Sequence, residues 1–249
     1  MDLGLSNACC IVTGGTRNLG LATSLALLEE GAVVVATYRS DSTSANKFAL
    51  SVPAAQRQRL RVLQSDSSES ASCESLCEVV QKEFGRIDVL INNAAVIKSQ
   101  RISEITDTHF DSILHNTLRG TIYMTRAVFP YMKASGARVV NISTAGVQTG
   151  NPSELLYICA KGGVEAATRV FARDGATLGI TVNAIAPHVI TSGMGEATLK
   201  NDPRIVSRIP LGRPGRLGEF VSLVLWLSSP KCEYLTGQVI GLNGGRLMR

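Results

Sequence analysis

The chain has 249 residues, a formal net charge of +5, and 18% charged against 45% hydrophobic residues. That balance excludes a largely disordered chain and suits one large α/β domain. Its basic residues are scattered among acids and its longest strongly apolar stretch, 220–227, is far below the roughly 20 residues of a membrane span, so neither nucleic acid nor membrane is an expected partner.

Apolar runs at 8–13, 32–38, 60–64, 89–91, 138–142, 181–185 and 238–242 predict seven strands. Helical patterns at 19–30, 69–84, 103–131, 154–178 and 217–227 fill the intervals. The strands are continuous apolar runs, as expected when both faces of a sheet are covered. Such strands alternating with helices predict a doubly wound parallel sheet, a single Rossmann-type α/β domain across 1–249. Segment 188–210, rich in Gly, Thr and Pro, breaks the rhythm. A long irregular connection of this kind reads as a lid over a binding cleft.

The first strand runs into Thr13-Gly14-Gly15-Thr16-Arg17-Asn18-Leu19-Gly20 and then a helix. A glycine-rich strand-to-helix turn lets backbone approach a pyrophosphate and aims amide donors at it. Asn18 interrupts the glycine pattern, but asparagine tolerates a left-handed backbone. At the end of the second strand, Tyr38 stands where an acid would bind the 2′-hydroxyl of NAD, and Arg39 follows. Arg39 and Arg17 favour a 2′-phosphate, hence NADP(H); Asp41 lies just past the strand end.

Tyr157 and Lys161 are four apart on one helical pattern, with Ser143 fourteen positions before the tyrosine. Residues at that spacing share a helix face. A lysine there can draw a phenol's pKa from about 10 towards neutrality, worth about 4 kcal/mol, so that it gives a proton to a ketone oxygen near pH 7. The six cysteines show no zinc-ligand spacing and read as reduced thiols in a cytoplasmic protein, Cys159 among them as packing; no metal site is expected. No leader pattern opens the chain. His188 reads as an accommodated loop residue more readily than a substrate contact, and His109 and His115 as structural or exposed.

Taken in order, these motifs resemble the short-chain dehydrogenase/reductase family over essentially the whole chain. Asn92-Asn93-Ala94-Ala95 is similar to the family's Asn-Asn-Ala-Gly, and Asn243-Gly244-Gly245 to its closing Asp-Gly-Gly. The resemblance implies that Asn116, Ser143, Tyr157 and Lys161 form a catalytic tetrad. It implies that Gly14, Thr16, Arg17, Asn18, Leu19, Gly20, Arg39, Asp66, Asn92, Ala94, Tyr157, Lys161, Pro187 and Thr191 bind the cofactor. Asp66 would meet adenine, Lys161 the nicotinamide ribose, and Thr191 the carboxamide. Gly150-Asn151-Pro152 and the segment 210–215 resemble 3-oxoacyl-thioester reductases, whereas Glu154, Leu156, Leu178 and His188 depart from them. The expected activity is NADPH-dependent reduction of a ketone, a 3-oxoacyl thioester or polyketide-like substrate. The alternatives are an oxidative secondary-alcohol or hydroxysteroid dehydrogenase and a non-catalytic NADPH sensor. The family's habit implies a homotetramer.

Overall fold

The computed structural model describes residues 2–132 and 136–248. Seven strands, β1 Cys9–Val12, β2 Val33–Tyr38, β3 Leu60–Gln64, β4 Val89–Asn92, β5 Arg138–Ile142, β6 Thr181–Pro187 and β7 Val239–Leu242, form one sheet in the order 3-2-1-4-5-6-7. Every pairing is parallel. The helices are α1 Asn18–Glu29, α2 Ser42–Ser51, α3 Ala54–Arg57, α4 Ser70–Phe84, α5 Asp107–Leu114, α6 Gly120–Val128, α7 Gly146–Thr149, α8 Leu155–Ala176, α9 Met194–Asn201 and α10 Leu217–Ser228.

Strand parity divides the core. Side chains alternate between sheet faces, so Cys10, Val12, Val34, Ala36, Val140 and Ile142 meet Leu27, Leu28, Phe220 and Val224 of α1 and α10. Their neighbours Cys9, Ile11, Val35 and Val139 meet Cys73, Leu76, Met124, Val128 and Ala172 of α4, α6 and α8 on the other face. Both faces are dry, which explains why the strands read as unbroken apolar runs. The chain order reverses between β1 and β4, and at such a switch point the strand ends diverge into a crevice.

Two segments differ from the sequence expectation. Segment 103–131, expected as one helix, is interrupted by a π-helical turn at His115–Arg119, between α5 and α6. The 188–210 connection, expected to be irregular, carries α9 and a 3-10 stretch at Pro203–Arg208. Neither lid helix buries a residue fully, so no apolar stripe marked them in the sequence.

Candidate active site

A cleft of about 630 Å³ opens at the switch point. Its walls include Gly14, Thr16, Arg17, Asn18 and Leu19 of the first turn, Arg39 and Asp66 at the strand ends, Ala94, Asn116, Ser143, Thr144, Tyr157, Lys161 and Pro187. Most of the sequence-expected residues therefore meet in one place.

The turn after β1 is shaped by close approach. Gly14 adopts φ 61°, and a Cβ on Gly20 would stand 2.2 Å from the Gly14 carbonyl oxygen. Gly20 is buried beneath the turn and serves it from below, without reaching the cleft. Thr13 ties the turn to β4: its hydroxyl accepts from the amides of Asn93 and Ala94, each at 3.0 Å. Asn93 Nδ2 donates back to Thr13 O at 2.9 Å. At the start of α1, Arg17 provides no side-chain cap and the first turn holds no acid. The amides there are left for an anion, and the cradle that a Cβ at Gly20 would fill suits a dinucleotide's pyrophosphate.

At the end of β2, Arg39 and Ser40 line the cleft. Asp41 does not compete for a ribose, because its carboxylate caps α2 through Ser44 N at 3.0 Å and Ser44 Oγ at 2.7 Å. These bonds hold it below the usual carboxylate range. Arg39 Nη1 donates to Asn116 Oδ1, and Asn116 Nδ2 donates to Ser112 O at 2.6 Å. Asn116 thus stands on the π turn, facing the cleft. Asp66 lines the cleft while its Oδ1 accepts from Ser68 N and Oγ at 2.9 and 2.7 Å.

Asn92 corrects the expectation. It is buried away from the cleft, its Nδ2 donating to Thr125 Oγ1 and Asn141 Oδ1, both at 2.9 Å. Asn93 is the residue of the pair that reaches the cleft wall. Asn92 belongs to a polar ladder that Asn141 continues to Thr168.

Tyr157 and Lys161 are both buried on α8, with the ammonium 5.7 Å from the phenol ring centroid. Lys161 Nζ donates to Ile142 O at the end of β5. Burial lowers the ammonium from 10.5 to about 8. The phenol moves opposite to expectation: burial, with Glu154 adding, raises its pKa above the ordinary tyrosine value. In this cleft the desolvation cost of a phenolate outweighs the nearby ammonium.

Two hydroxyl assignments also change. Ser143 Oγ donates to the buried Glu165 Oε1 at 2.8 Å, so its proton points into the α8 face of the sheet. Parity requires this, because Asn141, two residues earlier, also bonds α8. The next residue, Thr144, is half-buried in the cleft and its Oγ1 accepts from Gly146 N at 3.1 Å, leaving its own proton free to donate. Thr191 likewise lies off the cleft, its amide and hydroxyl both on Gly215 O, at 2.9 and 3.4 Å, while Ser192 lines the wall. Thr144 and Ser192 escaped the sequence reading; alternation along the strand was the available signal for the first.

His188 lines the cleft and also a smaller cavity of about 270 Å³ behind it. Burial, then Arg246 and Arg208, depress its pKa. His109 is held by Lys98 Nζ at 2.6 Å, outside the cleft. All six cysteines are unpaired; five are buried, but Cys159 is exposed, against the expectation of packing. Among the described residues no His, Cys, Asp or Glu cluster could hold a metal, and no helix is long and apolar enough to cross a membrane.

A family model described as enoyl-(acyl carrier protein) reductase matches residues 14–246. A 3-oxoacyl-[acyl-carrier-protein] reductase of Thermotoga maritima is 35% identical over 97% of this chain and 98% of its own. An acetoacetyl-CoA reductase of Shinella zoogloeoides is 34% identical over 95% and 97%. Among solved structures, a dehydrogenase/reductase from Sinorhizobium meliloti superimposes with TM-score 0.92 at 25% identity, covering 99% of this chain and 98% of the other. A short chain dehydrogenase from Burkholderia cenocepacia in complex with NADP gives 0.91 at 26% identity, over 97% and 98%.

Proposed function

Because this chain belongs to the short-chain dehydrogenase/reductase family, we propose that it is an NADPH-dependent ketoreductase acting on a 3-oxoacyl thioester. The observation that carries the reading is the buried Tyr157–Lys161 pair, which shares one cleft with the Thr144 hydroxyl and, at the far end, Arg39. NADPH, when bound, supplies the hydride for the ketone carbon.

The chain's own residues do the rest. The amides at the start of α1 and the turn from Gly14 to Leu19 hold the pyrophosphate, and Arg39, Ser40 and Arg17 hold the 2′-phosphate. Asp66, Ala94, Pro187 and Ser192 flank the remaining cofactor surface, with Ser192 taking the place expected of Thr191. Burial keeps the Tyr157 phenol protonated, which is the state that reduction requires. Its proton goes to the developing alkoxide, and Thr144, in place of Ser143, donates a hydrogen bond to the same oxygen. Lys161 is the cation beside the phenolate left behind, and Asn116 on the π turn serves its reprotonation.

The description of the matched family model as an enoyl reductase favours a second reading, reduction of an alkene. One helical turn between Tyr157 and Lys161 supports carbonyl chemistry instead, as do the printed activities of the two relatives. A homotetramer in the cytoplasm completes the proposal. It is supported by exposed apolar side chains, Phe110, Leu155 and Val170 on α5 and α8 and Trp226 on α10, and by unpaired thiols.

NADPH oxidation is to be followed with acetoacetyl and enoyl thioesters and with free ketones, with NADH in parallel. The expected result is turnover of the acetoacetyl thioester with NADPH, and a loss of about a hundredfold or more in Tyr157→Phe, which still binds NADPH. Turnover of the enoyl thioester alone, or an active Tyr157→Phe, rejects the proposal.

A further inference from the structure

The first turn and the lid touch at one point, and the residue that makes the contact is the one where the turn departs from glycine. Asn18 sits at φ 50°, a backbone that a glycine would hold with less strain. What asparagine adds is a side chain, exposed at the cleft wall, and the lid is built around it. Gly193, just before α9, has φ 52° and ψ −112°. A Cβ there would stand 2.6 Å from Asn18 Cγ, 2.8 Å from Nδ2 and 2.9 Å from Oδ1. The Gly193 backbone therefore rests on the Asn18 carboxamide, and no other residue type fits above it. Ser192, Met194 and Gly195 on the lid side line the same cleft as Gly14, Thr16 and Arg17 on the turn side. The contact thus crosses the cleft at the start of α1, where the helix amides lack a side-chain cap.

We propose that Asn18 is a cofactor-retaining positioning residue: its amide donates to the pyrophosphate of the bound dinucleotide while its carboxamide plane carries the lid at Gly193. Lid closure and cofactor retention are then one event. The inference rests on the NADP(H) reading above and adds to it a side-chain role that the glycine-rich turn by itself does not have. A glycine at 18 would preserve the turn and leave the lid unsupported. An aspartate would preserve the shape and set a negative charge against the pyrophosphate.

The lid carries its own reporters, because Lys200, Arg204 and Arg208 are exposed trypsin sites on or beside α9. Trypsin cleavage of the lid is to be timed with and without NADPH, and dissociation constants measured for NADPH and for 2′-AMP, which lacks the pyrophosphate. The chains are wild type, Asn18→Gly and Asn18→Asp, each checked for an unchanged circular dichroism spectrum. NADPH is expected to protect the wild-type lid and not that of either variant. Both variants weaken NADPH binding by about tenfold, the size of one hydrogen bond to a charged group, and leave 2′-AMP unchanged. Protection retained in Asn18→Gly, or an equal loss of 2′-AMP affinity, overturns the proposal. Wild-type protein that binds NADPH without lid protection overturns this inference alone; wild-type protein that does not bind NADPH overturns the functional reading as well.

Discussion

Ser143 and Thr144 offer a test in which neighbouring hydroxyls part company. Ser143→Ala removes the donor to a buried Glu165 oxygen at 2.8 Å. An unsatisfied buried polar group costs about 1–3 kcal/mol. For a chain of this size, about 2 kcal/mol corresponds to a Tm lowered by roughly 4–8 °C. Turnover should stay within about threefold, since the lost proton never faced the cleft. Thr144→Val preserves shape and removes the hydroxyl that also accepts from Gly146 N at 3.1 Å. It should cost about 1 kcal/mol in stability but lower kcat by roughly 10²–10³, as loss of a donor to a developing oxyanion does. Thr144→Ser should restore most of that rate. The assay is steady-state reduction of the acetoacetyl thioester beside thermal unfolding of each variant. A hundredfold loss in Ser143→Ala with Thr144→Val near wild type would refute the parity argument and return the role to Ser143.

Two further outcomes follow from the same cleft. Arg39→Ala should raise the KM for NADPH by roughly 10–100-fold and leave that for NADH within about twofold, because only NADPH carries the 2′-phosphate; equal effects on both cofactors would show that Arg39 does not read it. Lys161 has its folded-state pKa depressed from 10.5 to about 8, so between those values the unfolded chain holds the proton more tightly. Wild-type stability should therefore gain about 3 kcal/mol from this group as pH rises from about 8 to about 10.5, a gain absent in Lys161→Met. Urea unfolding of both chains across that range reads the difference, and a pH-independent gap between them would refute it.

The architecture was legible because its signal is one-dimensional. β3 and β5 have the same ends in the sequence reading and in the structure, since buried strands flanked by polar turns announce both ends. The first turn was legible too, as glycine spacing reports backbone shape directly. The misses share a cause: each depended on a direction that composition does not encode. Ser143-Thr144 and Thr191-Ser192 are adjacent hydroxyl pairs, and only the pleat or a loop's path decides which member faces the cleft. Asn92 and Asn93 exchange roles for the same reason. The tyrosine pKa failed differently. Residue spacing gave the ammonium's proximity correctly, but the depth of burial that outweighs it is a property of the assembled helices α5 and α8.

The π turn at His115–Arg119 has a consequence for how this chain can change its length. α5 buries Ile113 against the Leu156–Tyr157 end of α8, whereas α6 turns Thr121 and Thr125 inward, where Thr125 receives Asn92. The extra residue in the turn is what lets one continuous rod serve two addresses that are out of phase. Deleting a single residue there would restore ordinary α pitch and rotate everything downstream by roughly 100°. Thr125 would swing away from Asn92, and Arg126 would come round towards the sheet. Loop tips of this protein can gain or lose residues with local effect, but this helix cannot: its length is a phase setting, fixed to the residue.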